Sequence, residues 1–188
     1  ATYEIQYGTI ERPTHHNTAH DRGRYENTAL RWVDLSEGNY GVTLLNDCKY
    51  GHDVKENVLR MSLLRSSIDP DPTADQGEHE FTYSLLPHPG DWRSGAVREG
   101  LELNTPFVAL ATKSVKGALP AVYSFASTDA DNVVIDWIKK HEDSNAAIVR
   151  LYEAHGQRGK VTVTFSRKPR KVYDCDLMEE NDRPVRVL

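Results

Sequence analysis

Apolar and β-branched positions recur along this chain in short runs, mostly with period two. The pattern is densest between Trp32 and Leu64, where the run Tyr40-Gly41-Val42-Thr43-Leu44-Leu45 passes directly into the polar cluster Asn46-Asp47-Cys48-Lys49-Tyr50-Gly51-His52-Asp53. A second run, Val58 to Leu64, follows. In it Leu59, Met61 and Leu63 fall on one side and Arg60 and Ser62 on the other, the alternation of a half-buried strand. The polar stretch from Asn46 to Asn57 then predicts a loop between two core strands, longer than the two to five residues of a plain hairpin.

Elsewhere the same reading gives more strands. Tyr3, Ile5 and Tyr7 alternate with Glu4 and Gln6; Arg24 to Val33 has Leu30 and Trp32 on its buried side; His79 to Leu85 turns Phe81, Tyr83 and Leu85 one way. Between these, Ser66 to Gly77 carries prolines and acidic residues and predicts a long connecting loop. Asp91 is a good N-cap for the one expected helix, which runs to Leu103 and is stopped by Asn104-Thr105-Pro106. Phe107 to Leu110 is strand-like and Lys113 to Pro120 reads as a linker or wide loop. Beyond it come short strands only: Val122 to Ala126, Val133 to Lys139, Ala147 to Glu153, Val161 to Phe165 and Lys171 to Leu177, at the spacing of a small sandwich. The expected fold class is all-β, an antiparallel β-sandwich with one short helix. Residues 1–104 belong to one sandwich and residues 105–188 to a smaller terminal one.

Composition narrows the partners more than the fold. The chain has 188 residues, 38% hydrophobic and 27% charged, with a net charge of −5. That balance leaves no basic footprint for nucleic acid or an anionic membrane, so neither is expected as a partner. The basic run Lys168 to Lys171 reads as a solvated turn. Cys48 and Cys175 stand far apart with no metal-type spacing and no disulfide framework. No stretch has the length of a membrane span and Ala1-Thr2-Tyr3-Glu4 is not a signal peptide, so cytoplasmic residence is the simplest expectation.

Two clusters carry candidate chemistry. His15, His16, His20 and Asp21 lie within one short polar segment and raise the question of a metal, since His16 and His20 would share a helix face. Pro13 and the density of Thr and Asn favour a loop there instead, so no metal is assigned. The second cluster pairs Tyr50 and Gly51 with Asn46, Asp47 and Lys49. A ring stacks on the apolar face of a sugar while amide, carboxylate and ammonium groups bond its hydroxyls. The same residues also serve to shape a turn. No pair among the acidic residues stands out as the two flanking carboxylates a glycosidase uses, and no nucleophile or phosphate-loop motif is present.

Several ordered motifs together resemble the C-terminal region of the α-mannosidases of glycoside hydrolase family 38, in its cytosolic and bacterial branch. They are Glu11-Arg12-Pro13-Thr14-His15 with Asn17-Thr18, Trp32-Val33-Asp34-Leu35-Ser36-Glu37, Tyr40 to Gly51, Leu63-Leu64-Arg65-Ser66, Asp69-Pro70-Asp71-Pro72, Ala74 to Phe81, Pro87-His88 with Gly90, Asn132 to Ile135, Lys139 to Asp143 and Ile148 to Glu153. His16 and His20 depart from the family pattern, where an Arg and an aromatic are expected. The resemblance implies the end of a galactose-mutarotase-like supersandwich followed by a small β-sandwich. It also implies a retaining α-mannosidase whose aspartate nucleophile and zinc lie in an N-terminal barrel domain absent from this chain, a barrel needing on the order of 200 residues by itself. No catalytic residue and no cofactor is therefore assigned here; the expected partners are that catalytic domain in the same polypeptide and a mannose-containing glycan, and a homo-oligomer is compatible with the sequence. Under this resemblance Asn46, Asp47, Lys49, Tyr50, His79 and His88 are candidates for the wall of the sugar pocket, with Arg12, His15, Asn17 and Asp21 behind them. The alternative is an autonomous carbohydrate-binding or mutarotase-like module.

Overall fold

A computed structural model describes residues 1–113, 116–180 and 183–185. The chain forms two compact units, Ala1–Leu110 and Ala111–Leu188.

The first unit holds strands β1 (Thr2–Ile5), β2 (Gly8–Glu11), β3 (Asn27–Thr28), β4 (Trp32–Ser36), β5 (Tyr40–Asn46), β6 (Gly51–Lys55), β7 (Val58–Met61) and β8 (Tyr83–Pro89), with helices α1 (Ala19–Gly23) and α2 (Ala96–Asn104). They make an antiparallel five-stranded sheet, β2-β1-β4-β5-β8, and a three-stranded sheet, β3-β6-β7. Register decides what each face carries. Tyr3 pairs with Val33 and Val33 with Leu44, so these three share one face. Tyr3 and Val33 pack there with Ala29 and with Val54 from the second sheet, flanked by Ile10, Leu35 and Leu59. This is the inter-sheet core of a sandwich, built where period-two apolar positions of two sheets meet. The other face carries Trp32, fully buried and stacked on Trp92 with centroids 5.4 Å apart. It is covered by α2, which lies on β4 and β5.

Several expectations change here. The helix expected from Asp91 is divided: Asp91 caps a single 3-10 turn, Trp92–Ser94, and Gly95 then starts α2, which ends at Asn104, one residue beyond the expected Leu103. A one-turn helix, α1, stands where a loop was read, closed by a Thr18–Asp21 capping box. The long loop expected from Asn46 to Asn57 shrinks to four residues, because His52 and Val54 alternate inward and pair as β6 with β7 around the turn Glu56-Asn57. The segment expected as one strand from Arg24 to Val33 is broken between two sheets, β3 and β4.

The strand read from His79 to Leu85 begins four residues later and shows the opposite face. Ser84, Leu86 and His88 turn inward, while Tyr83 and Leu85 are 57% and 65% exposed. Its two prolines, Pro87 and Pro89, are tolerated because β8 is an edge strand and their missing N–H groups point off the sheet. Phe107 to Leu110 is not a strand, and Phe107 is 91% exposed.

The second unit contains β9 (Ala126–Thr128), β10 (Val133–Lys140), β11 (Ala147–Glu153), β12 (Val163–Phe165), β13 (Val172–Asp174) and β14 (Arg183–Val185). They pair antiparallel as β10-β11, β12-β9 and β13-β14. Here β10 and β11 fall almost where the alternation put them, whereas Val122 to Phe125 of the expected first strand stay irregular. Ser114 and Val115 of the linker lie outside the described residues.

Candidate functional site

A groove of about 490 Å³ opens on the first unit, lined by residues from the segment before β3, the β5–β6 turn, and the loop after β7. Its polar lining includes Glu26, Asn27, Lys49, Tyr50, Arg65 and Asp75. The placement follows from the strands around it. The β5–β6 turn is anchored at its start by Asn46, a fully buried residue whose Nδ2 donates to the Leu30 carbonyl at 2.9 Å and whose Oδ1 accepts the Lys49 N–H at 2.7 Å. The Asn46 carbonyl in turn accepts from Asn104 Nδ2 at the end of α2, 3.0 Å away. An amide with this many partners fixes the turn rather than facing a ligand.

Asp47 also faces the protein. It clasps Thr82, taking that residue's N–H on Oδ2 at 2.9 Å and donating its own N–H to the Thr82 carbonyl at 3.2 Å. The Cys48 thiol and then the Thr82 N–H hold the Asp47 carboxyl below the usual carboxylate range, and the same thiol–carboxylate bond pushes the Cys48 thiol up. The turn is thereby tied to the strand leading into β8, which leaves Lys49 and Tyr50 at its crest. Lys49 Nζ sits 5.0 Å from the Phe81 ring and Tyr50 is 52% exposed.

Opposite them, Glu26 pairs with Arg65 and accepts the Ser62 hydroxyl. This carboxylate lies against the backbone at Gly51: a Cβ there would come within 2.6 Å of Glu26 Oε1. Gly51 therefore makes the floor of the groove passable, beyond any service to a turn. Asp75, in the long loop, accepts the N–H groups of Ser66 at 2.8 Å and Arg65 at 3.2 Å, which lower its pKa and keep it an anion. His79 closes that loop, its Nε2 bonded to the Asp75 carbonyl at 2.8 Å. The groove thus offers an exposed ring, two cations, two carboxylates and an amide, a set that stacks on and hydrogen-bonds a polyhydroxylated ligand. Asp75, held ionised, accepts from hydroxyls and does not act as a general acid.

His88 lies elsewhere. It is buried on the α2-covered face, its Nε2 2.7 Å from Asp34 Oδ1 and 3.1 Å from Thr43 Oγ1, with Thr43 also donating to Asp34 at 2.7 Å. Gly41, its register partner on β5, leaves the space for the ring, since a Cβ there would collide with His88 Cε1. Arg12, His15, Asn17 and Asp21 are not among the groove's lining residues. The Arg12 guanidinium is 5.8 Å from the Tyr3 ring centroid, Asp21 caps α1 with His15 Nδ1 3.8 Å away, and Asn17 is exposed. Of the ten candidates only Lys49 and Tyr50 line the groove. Glu26, Arg65 and Asp75 were missed as site residues; Gly51 was the available signal, but the residue it admits comes from a segment distant in sequence. Among the described residues no group of three or more His, Cys, Asp and Glu side chains is arranged to hold a metal ion. Nor is any helix among them long and apolar enough to cross a membrane.

Comparison with known proteins identifies the family. The model of the glycosyl hydrolases family 38 C-terminal domain matches residues 1–73, and that of the family 38 C-terminal beta sandwich domain matches residues 132–187. The chain is 44% identical over 186 residues to alpha-mannosidase 2C1 of Homo sapiens, covering 97% of this chain and 18% of that protein. To alpha-mannosidase G of Dictyostelium discoideum it is 42% identical over 185 residues, covering 96% of this chain and 17% of that protein. The crystal structure of an alpha-mannosidase from Enterococcus faecalis shares the fold with a TM-score of 0.79 at 20% identity, over 98% of this chain and 23% of that one. The chain thus spans under a fifth of the length of these two relatives. Two matched models in their proper order, with relatives aligned from end to end of the chain, lead to one conclusion: the chain belongs to glycosyl hydrolase family 38, of which it is the C-terminal region.

Proposed function

We propose that this chain works as the non-barrel, C-terminal portion of a retaining α-mannosidase, within a longer polypeptide whose substrate is a mannose-containing glycan. The observation that carries this reading is the match of the two family 38 C-terminal models, in order, to residues 1–73 and 132–187; the groove that gathers Tyr50, Lys49, Arg65, Glu26 and Asp75 supports its sugar-facing part. On this reading Lys49 and Tyr50 form part of the sugar-pocket wall; Asn46, Asp47 and His79 fix the turn and loop that present it. His88 acts from within the sheet, and Arg12, His15, Asn17 and Asp21 support the neighbouring surface. Residues 1–104 complete a larger, mutarotase-like sandwich and residues 105–188 are the small terminal sandwich. The nucleophile and the zinc ion belong to an N-terminal domain of the same cytoplasmic polypeptide. The described residues supply no ligand set for such an ion.

The test is kinetic and uses the full-length polypeptide. Tyr50→Ala and Lys49→Ala are expected to lower kcat/KM on an aryl α-mannoside by about tenfold or more, the loss of one good contact. Unchanged kinetics in both variants would remove the groove from the substrate site. Hydrolysis is expected to be abolished by a chelator and absent from residues 1–188 alone; mannose binding to the isolated chain would favour a free-standing binding module instead.

A further inference from the structure

Gly51 brings the groove a freedom as well as a passage. It stands where the β5–β6 turn re-enters the sheet, next to Tyr50, and both residues line the groove. A residue without a Cβ lets the backbone pivot, and Tyr50 rides on that pivot. What opposes the pivot is the grip on the Tyr50 carbonyl. That oxygen accepts the Ala29 N–H at 3.0 Å, and the His52 ring places Nδ1 3.3 Å from it. A carbonyl only accepts, so the contact puts the proton of a neutral imidazole on Nδ1. Burial favours that neutral ring.

His52 is a costly residue where it stands. It is wholly buried on the central strand of the β3-β6-β7 sheet, and Val54, the next inward residue of that strand, belongs to the apolar core. Its Nε2 has no partner among the described residues, and a buried polar atom left unpaired destabilises a fold. An apolar side chain would fill the place without that loss. The hydrogen bond that His52 does make goes to the backbone of a groove residue.

We propose that His52 is a positioning residue for the groove: through the Tyr50 carbonyl it holds the crest of the β5–β6 turn so that the Tyr50 ring stands ready to stack on a sugar. The inference deepens the reading of Tyr50 as part of the sugar-pocket wall and rests on it. The gain is preorganisation, since a ring already held in place loses less freedom when the ligand arrives. Asn46 fixes the start of the same turn through the Lys49 N–H, and His52 with Ala29 fixes its end.

The experiment compares, in the full-length polypeptide, His52→Leu, which removes the donor, with His52→Asn, whose Nδ2 occupies the place of Nδ1 on the side chain. Tyr50→Ala and the double variant Tyr50→Ala with His52→Leu complete the cycle. His52→Leu is expected to lower kcat/KM on an aryl α-mannoside by about threefold to tenfold, divided between kcat and KM as in Tyr50→Ala. His52→Asn is expected to return to within about twofold of the parent, and His52→Leu to add nothing once Tyr50 is alanine. Should the leucine variant not fold, His52→Met, whose unbranched side chain fits irregular gaps, carries the same expectations. Failure of both to fold overturns the inference, because the core then needs the ring for itself. Parent kinetics in His52→Leu beside an impaired Tyr50→Ala also overturn it. So does a loss that persists in the Tyr50→Ala background or that His52→Asn leaves unrelieved, since His52 then acts on the fold at large. An unimpaired Tyr50→Ala removes Tyr50 from the sugar-pocket wall, and the inference falls with that assignment.

Discussion

The two units are built from the same kind of sequence and bury very different amounts of it. In the first unit, Trp32, Val33, Asp34, Thr43, Asn46 and His52 are wholly removed from solvent. In the second, among the described residues, Ala154 alone is buried, and Trp137, in the middle of the longest strand, is 63% exposed. The difference lies in layering. The first unit sets a five-stranded sheet between a second sheet and a helix, so an alternating strand has somewhere to put its apolar side. The second consists of two-stranded pairs, with Phe125 and Phe165 meeting edge to face at 6.2 Å as a small local contact. Isolated two-stranded pairs are marginal in water. Strand pairing and core formation are therefore separable here: among the described residues, the first unit shows both and the second shows mainly pairing.

The sharpest way to break that comparison is to remove a tryptophan from each unit. Trp32→Ala deletes a fully buried ring stacked on Trp92 and is expected to cost about 3–5 kcal/mol. Trp137→Ala is expected to stay within about 0.5 kcal/mol. Equal losses in denaturant unfolding would show that the second unit hides a core of its own. Next in size is Gly41→Ala. The added methyl meets His88 and the Ser36 Cβ at 2.7 Å, inside a packed polar cluster, and is expected to destabilise the first unit by about 1–3 kcal/mol. Restoring stability by pairing it with His88→Ala would tie the cost to that contact.

A smaller effect separates the units by pH. Burial lowers the His52 pKa from 6.5, and its Nε2 has no partner among the described residues. Below about pH 6.5 the unfolded chain takes up a proton that the folded chain refuses, so this contribution is complete above that pH and is lost as the pH falls. The limit for one proton is about 1.4 kcal/mol per pH unit. Thermal unfolding of the first unit is expected to be less acid-sensitive in His52→Gln; identical pH profiles would remove His52 as a cause. The least effect is expected from Lys139→Ala in the second unit. Its pair with Glu142 lies in solvent, and Lys139 stays 39% exposed in its pair with the mostly buried Glu179, so only a small shift of Tm, less than that of Gly41→Ala, should follow.

How much of this was legible depended on whether the deciding partner was near in sequence. The strand Ala147–Glu153 was read with its bounds because its alternation and its turns are local, and the end of α2 at Asn104 to within one residue because Pro106 forbids continuation. The face of β8 was read backwards. Tyr83 and Leu85 alternate as a buried pair would, yet the sheet turns Leu86 and His88 inward, where Gly41, Asp34 and Thr43 receive the histidine. A strand's pattern offers two faces, and a shift of one residue exchanges them. The groove suffered similarly: Lys49 and Tyr50 drew notice as a local polar cluster, while Glu26, Arg65 and Asp75 come from segments that only folding brings beside it.

The sequence by itself determined the all-β class, the strand-rich second half, the place of the helix after Asp91 and, through its ordered motifs, the family. The first three follow from period, capping and composition, which act over a few residues at a time; the family follows from the resemblance of those motifs, taken in order. Only the tertiary structure decided which side of β8 is core, that His52 and Val54 belong to a strand, and that His88 is an internal residue paired with Asp34. Each of those outcomes is set by which distant strand supplies a gap, a carboxylate or a covering layer, and such pairings have no period to read along the chain.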